Sequence, residues 1–298
     1  MGVLTSQKVS ALYTQFSRTE LVFTKEIVQG TGLVTQQIAL KSQGDLFPCV
    51  IYSSSLQGAR VLTNAKAQLI QNLQESNNLV SLRFCFKKEE DNPITFFVST
   101  RSVGYAPYTG SPDTAMFTLE FIQRPPDDLI EIMGRIMEAN ETAVKKSRER
   151  IIINESTQKR LSISSKDTAV FIQGVPRRCM LRELSFSGAK VIMMGIAKFL
   201  VNKEAGIKIE FESPHEGFFI RGKFSSSEAV DGRKDLVALA IRFTDANVPI
   251  AYKLRISEYI NAYRVEDRME QATTKADQLA SIGARINGTA QTDIKPVW

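Results

Sequence analysis

Two short stretches of the 298-residue chain hold side chains that could act together on a ligand. The first, KKSRERIIINESTQKRLS from Lys145 to Ser162, carries six basic residues and two glutamates, a local charge of +4. The second follows Arg177-Arg178 and reads Arg182-Glu183-Leu184-Ser185-Phe186-Ser187-Gly188. Arginine offers a planar fork of donors to phosphate or to the acceptor edge of guanine, and it stacks on purine faces. Glu-x-Ser-x-x-Gly adds a carboxylate for the N–H edge of a guanine and a hydroxyl. Its glycine lets backbone N–H groups turn inward. Together the pieces describe a concave site for an anion. Each also has a plainer reading. A basic run suits the negative C-terminal end of a helix, and Ser-x-x-Gly is a common strand-to-turn corner.

Composition removes other chemistries. His215 is the sole histidine, so multi-histidine metal sites and the His-Glu-x-x-His arrangement are excluded. Cys49, Cys85 and Cys179 are too far apart for Cys-x-x-Cys chemistry, and their odd number argues against a disulfide framework. No base–nucleophile pair is visible, so neither an enzyme nor a metal or cofactor is expected. Gly30-Thr31-Gly32 lacks the third glycine of a dinucleotide loop and reads as a turn. Gly188 and Gly195 make no phosphate loop without a following Gly-Lys-Ser/Thr. Ser213-Pro214-His215-Glu216-Gly217 reads as a hairpin turn. Met1 to Ser6 formally fits the short, common myristoylation pattern. Met1 to Phe16 shows no apolar signal core. The longest apolar run, Val191 to Ala197, is far below the ~20 residues of a membrane span. A cytoplasmic protein in a reducing compartment is the expectation.

The elements that must position these residues form two β-rich regions. With 43% apolar and 23% charged residues, the chain can bury sizeable cores. Leu46 to Tyr52, Leu79 to Lys87, Ile94 to Ser102 and Thr114 to Ile122 are Val-, Phe- and Ile-rich runs separated by turn residues. Lys88 to Pro93 reads as a polar turn, and Leu62 to Leu73 as a short helix. Arg124-Pro125-Pro126-Asp127-Asp128 then starts a helix, with Leu129, Ile132, Met133, Ile136 and Met137 on one stripe to about Val144. From Arg148, strands are expected at Ile151–Ile153, Ala169–Gln173, Cys179–Leu184, Ala189–Met194, Ile207–Glu212, Phe218–Phe224 and Leu236–Phe243. Pro249 opens a last helix bearing Leu254, Ile256, Tyr259, Ile260 and Tyr263, continuing to about Ile286 before a polar tail. No internal sequence repeat stands out, although two successive β modules can share a fold.

With these motifs in place, the chain resembles bacterial PilZ-domain proteins, receptors for the second messenger cyclic di-GMP. That family carries Arg-x-x-x-Arg ahead of the first barrel strand and (Asp/Asn)-x-Ser-x-x-Gly some 20–40 residues later. Here Lys146-Ser147-Arg148-Glu149-Arg150 and Glu183-Leu184-Ser185-Phe186-Ser187-Gly188 stand in those places. The resemblance runs from about Lys145 to Arg264, and the N-terminal half looks like the PilZ-related first domain of two-domain members. Lys146 replaces an arginine, losing the bidentate fork. Glu183 replaces Asp or Asn, moving the acceptor out by one methylene.

The resemblance implies a mainly β chain of two successive antiparallel β-barrel domains joined by a helix, with a C-terminal helix. The expected divisions are 1–125 for the PilZ-related domain, 126–145 for the linker helix, 146–264 for the PilZ barrel, and 265–298 for a helix and tail. It also implies a cyclic di-GMP site of Lys146, Arg148, Arg150, Glu183, Ser185 and Gly188. Arg150 would grip phosphate or the guanine O6/N7 edge, Lys146 and Arg148 would add charge, and Glu183 would accept from guanine N1/N2. Arg177, Arg178 and Arg182 are secondary candidates. Ligand binding would reorder the basic segment, rotate the modules and regulate a protein partner in motility, envelope or virulence control. The alternative is a PilZ-like adaptor that binds no nucleotide and works by protein contact. The net charge of +6 also raises nucleic acid as a partner. Such a site interleaves aromatics with its basic residues, and Lys145 to Ser162 has none, so nucleic acid is not expected.

Overall fold

The computed structural model describes residues 5–263, apart from 88–92, 112, 196–199, 214 and 231. All but Pro93 of the polar turn expected over Lys88 to Pro93, the extension of the last helix towards Ile286 and the tail lie outside the described residues.

Helix α1 (Ser6–Phe16) begins at Thr5, whose hydroxyl accepts from the Lys8 N–H, and buries Val9, Leu12 and Phe16 along one face. Strand β1 (Leu21–Val22) and helix α2 (Lys25–Thr31) follow. Six strands then close a ring: β2 (Ala39–Ser42), β3 (Asp45–Ser54), β4 (Gly58–Asn64), β5 (Leu79–Phe86), β6 (Ile94–Pro107) and β7 (Thr114–Phe121). Their order is β3-β2-β5-β6-β7-β4, with β4 returning to β3 and β1 added outside β3. Closure leaves the ring no free edge, the liability of an open sheet. The stretch expected as one helix at Leu62–Leu73 is split between the end of β4 and helix α3 (Ala67–Glu75).

Helix α4 (Asp127–Lys145) carries Asp127 and Asp128 in its first turn, where the helix dipole favours acids. It buries Leu129, Ile130, Met133, Ile136 and Met137, all within the core of the first barrel. Helix α1 lies against it at Gly134, where a Cβ would come within 3.1 Å of the Leu12 side chain. The helix read from sequence as a connector is therefore also a wall of the first core.

The second half repeats this plan. Strand β8 (Ile151–Ile152) and helix α5 (Glu155–Leu161) precede β9 (Asp167–Ile172), β10 (Val175–Ser185), β11 (Gly188–Met194), β12 (Glu204–Phe211), β13 (Glu216–Val230) and β14 (Arg233–Phe243). The ring order β10-β9-β12-β13-β14-β11, closed by β11–β10 with β8 outside β10, reproduces the first ring strand for strand. The chain is thus mainly β, with two antiparallel six-stranded barrels. His215 lies in the turn between β12 and β13.

The register corrects the expectation of no internal repeat. From Phe16 to Leu62, the chain aligns without a gap with the segment 130 positions later. Ser17, Arg18, Gln43, Gly44, Cys49, Ser55, Gly58, Ala59 and Val61 recur as Ser147, Arg148, Gln173, Gly174, Cys179, Ser185, Gly188, Ala189 and Val191. The structure keeps the same offset. Gln43-Gly44 and Gln173-Gly174 both turn with positive φ, and a bulge falls between Ile51 and Ser53 in one copy and Leu181 and Glu183 in the other. Gly32 and Ser162 both cap a short helix in the left-handed region. The repeat escapes a reading by apolar runs because its identities lie in turns and at close strand approaches.

Helix α6 (residues 250–263) ties the barrels together. Ile250 is part of the first core, whereas Tyr252, Ile256 and Ile260 are part of the second. Among the described residues, no helix is long and apolar enough to cross a membrane.

Candidate ligand-binding site

The site grows from the join between α4 and the second barrel. Helix α4 ends at Lys145, and the chain turns through Lys146 to Arg148, held by Lys146 N–H donating to the Thr142 carbonyl at 2.8 Å. Ile151 and Ile152 then pair with Leu184 and Glu183 of β10. That pairing carries Arg150 to the corner at the end of β10.

At this corner three of the motif residues meet. The Arg150 guanidinium donates through Nη1 to the Ser185 hydroxyl at 3.1 Å, and that hydroxyl donates to the Gly188 carbonyl at 3.1 Å. Ser185 and Gly188 face one another across β10 and β11. Ser185 faces outward yet is fully buried, because the corner closes over it. Gly188 has no room for a side chain, since a Cβ would collide with the Ile241 carbonyl on β14. The same Cβ would lie 3.4 Å from Arg150 Nη1, so the guanidinium covers the glycine. Arg150 itself remains exposed.

Two further bonds hold the corner. Ser187 donates through Oγ to the Ser147 carbonyl at 2.7 Å, pinning the basic segment to the turn. The Tyr252 hydroxyl of α6 donates to the Ser185 carbonyl at 2.8 Å. Tyr252 is completely buried, edge-on to Phe218 and Phe243, and burial pushes its phenol well above the usual range. It therefore stays a neutral donor.

The other expected residues are placed differently. Glu183, half-buried on the same outer face, stands opposite Lys190. Lys190 in turn pairs with Glu228 at 2.6 Å. The Lys146 ammonium donates to Asn261 Oδ1 of α6 at 3.2 Å, which directs it to the helix. Arg148 is exposed in the turn. Arg177 and Arg178 lie opposite Val170 and Ala169 at the far end of β10, about 25 Å of strand from Ser185. Arg182 falls at the bulge of β10.

The arrangement presents one exposed guanidinium over a glycine, with a hydroxyl beneath and a carboxylate one strand step away. That set suits a ligand with both an anionic group and a donor edge. Among the described residues, no cluster of His, Cys, Asp and Glu could hold a metal ion.

Residues 7–140 match the family model described as the PilZN3 domain. Over 266 residues the chain is 36% identical to a Treponema denticola protein named cyclic di-GMP binding protein, spanning 89% of this chain and 85% of that one. The chain belongs to the two-domain PilZ family. Two solved structures are also similar to this PilZ protein. One is Borreliella burgdorferi PlzA in complex with c-di-GMP, at 24% identity and TM-score 0.39, covering 86% of this chain and 99% of that one. The other is Escherichia coli YcgR in complex with c-di-GMP, at 12% identity and TM-score 0.26, covering 91% and 100%.

Sequence reading passed over Tyr252, Asn261 and Ser187 in this PilZ protein. Tyr252 carried a usable signal, since it precedes Ile256 and Ile260 at steps of four and so belongs to the apolar stripe of α6. Ser187 and Asn261 carried none, because their partners are backbone and side chain brought close only by folding.

Proposed function

We propose that this PilZ protein is a cyclic di-GMP-binding effector that changes the arrangement of its barrels when ligand binds, and so regulates a protein partner in the cytoplasm. The observation that carries the reading is Arg150 laid over Gly188 and bonded to Ser185. The name of the Treponema relative supports the same ligand. Arg150 grips phosphate or the guanine O6/N7 edge, with Lys146 and Arg148 adding charge. Glu183 accepts from guanine N1/N2, and Ser185 and Gly188 shape the floor.

The route to a rearrangement runs through the same residues. Lys146 and Ser147 are tied to α6 and to the corner, and α6 reaches the first core through Ile250. A ligand that draws Lys146 from Asn261 would favour an arrangement in which that bond is absent. The shift is limited to the ligand's difference in affinity for the two arrangements. The partner serves motility, envelope or virulence control, and the chain acts as a receptor rather than an enzyme.

Isothermal titration with cyclic di-GMP, with cyclic di-AMP as control, tests the ligand. Saturable, guanine-selective heat is expected. Arg150→Ala should lose charged hydrogen bonds worth roughly 1.5–3 kcal/mol, about 10- to 150-fold in Kd. An Arg150→Ala protein binding as tightly as wild type overturns the site. No heat from wild type at high protein concentration overturns the receptor reading in favour of an adaptor acting by protein contact.

A further inference from the structure

The two barrels are copies, so each residue of the corner has a counterpart that shows what the fold alone demands. Ser55 and Gly58 of the first barrel stand where Ser185 and Gly188 stand in the second. The turn has the same chemistry, with the Ser55 N–H donating to the Gly58 carbonyl at 2.8 Å. A Cβ on Gly58 would collide with the Leu119 carbonyl on β7, as one on Gly188 would with Ile241 on β14. Serine and glycine are therefore requirements of the corner in both barrels. What distinguishes the barrels is charge.

Two outward positions differ in sign. Arg150 of the second barrel is Glu20 in the first, where the carboxylate pairs with Arg60 and accepts from Ser53 Oγ at 2.6 Å. The second difference is on the strand beside the glycine. Gly188 pairs with Arg242 of β14, and Gly58 pairs with Glu120 of β7. Opposed residues in an antiparallel pair lie about 4.5–5.5 Å apart and point to the same face. Ile241 and Phe243 point into the core, so the Arg242 side chain leaves the outer face that carries Arg150. Arg242 is exposed, and its side chain makes no hydrogen bond or ion pair among the described residues. Lys223, opposite Arg242 on β13, extends the same row.

We propose that Arg242 is a further anion-contacting residue of this site, flanking Gly188 on the side opposite Ser185. The inference deepens the cyclic di-GMP reading above and rests on it. Two like charges set about one glycine repel unless an anion lies between them, and a dinucleotide with two phosphates supplies one. In the first barrel, carboxylates stand at both positions, and Arg60 is already paired with Glu20. Arg148, which recurs as Arg18, is not distinguished by the comparison.

Titration of cyclic di-GMP into full-length wild type, Arg150→Ala, Arg242→Ala, Arg242→Lys and Arg177→Ala tests this. Arg242→Ala should raise Kd roughly 10- to 150-fold, the effect of a lost charged hydrogen bond. Arg242→Lys, which keeps charge without the fork, should fall between. Arg177→Ala, far along β10, should match wild type. Arg242 is exposed, so unchanged melting temperatures are expected for its variants and separate lost binding from lost folding. If wild type binds, Arg150→Ala weakens binding and Arg242→Ala does not, the proposal fails while the ligand reading stands. If wild type does not bind, the ligand reading fails and takes the proposal with it.

Discussion

The Tyr252 hydroxyl donates to the Ser185 carbonyl at 2.8 Å, joining helix α6 to the corner that carries Arg150. Both residues are fully buried, so this carbonyl and this phenol meet no water. Tyr252→Phe keeps the ring packing against Phe218 and Phe243 and leaves the bond unmade. The expected loss is about 1–3 kcal/mol, that of a buried polar group without a partner, seen as a lower midpoint in urea denaturation. A midpoint equal to wild type would show that the bond contributes nothing in solution.

Gly30 lies beneath the same helix on its other side. A Cβ at Gly30 would collide with the Ile250 side chain, so α2 of the first barrel and α6 touch at a point without slack. Gly30→Ala, which on an exposed helix would stabilise, should instead cost about 1–3 kcal/mol through overpacking. Ile250→Ala alone removes a side chain only 4% exposed and should cost about 2–5 kcal/mol. Combined, the two changes relieve one another, so their effects should fall short of additivity by more than about 0.5 kcal/mol. Strict additivity in the double-mutant cycle would mean that the two helices do not meet.

Two free cysteines in equivalent places report on barrel opening. Cys49 and Cys179 occupy equivalent inward positions on β3 and β10, and burial pushes both thiols up to about 12. At pH 8 the reactive thiolate is then on the order of one part in ten thousand. Ellman's reagent should leave both unmodified in the native protein and label them promptly in urea. Prompt labelling of either without denaturant would show that its barrel opens or that the thiol is not buried.

Strands β3, β5, β6 and β7 and those of the second barrel were legible because they are runs rich in Phe, Val and Ile, whereas β1, β2 and β4 were not read as strands. Helix α4 was legible because Pro125, Pro126, Asp127 and Asp128 announce a helix start. Arg150, Ser185 and Gly188 were singled out by their resemblance to the PilZ motifs, and the fold brings the three together across 35 residues of chain. Helix α1 was not legible. Its three buried residues, Val9, Leu12 and Phe16, are spread among polar ones, and its stability comes from packing on α4 at Gly134. Arg242 was hidden for a different reason. Its place beside Gly188 depends on which strands neighbour one another in the closed ring, and nothing near residue 242 in the chain encodes that.

The first barrel's Glu20–Arg60 pair gives a prediction in pH. Hydrogen bonds from Arg60 and Ser53 hold the Glu20 carboxyl below the usual carboxylate range. A carboxylate lowered in the folded state adds stability that is present above its unfolded value and lost as pH falls through its folded one. Both partners are substantially exposed, at 41% and 45%, so the contribution is about 0.2–1 kcal/mol after solvent screening. Glu20→Gln should therefore melt slightly below wild type near neutral pH, and the two curves should converge in acid. Added salt should narrow the neutral-pH gap, since exposed ion pairs are screened. A gap that persists unchanged below the carboxylate range would assign the effect of Glu20 to packing or hydrogen bonding rather than to its charge.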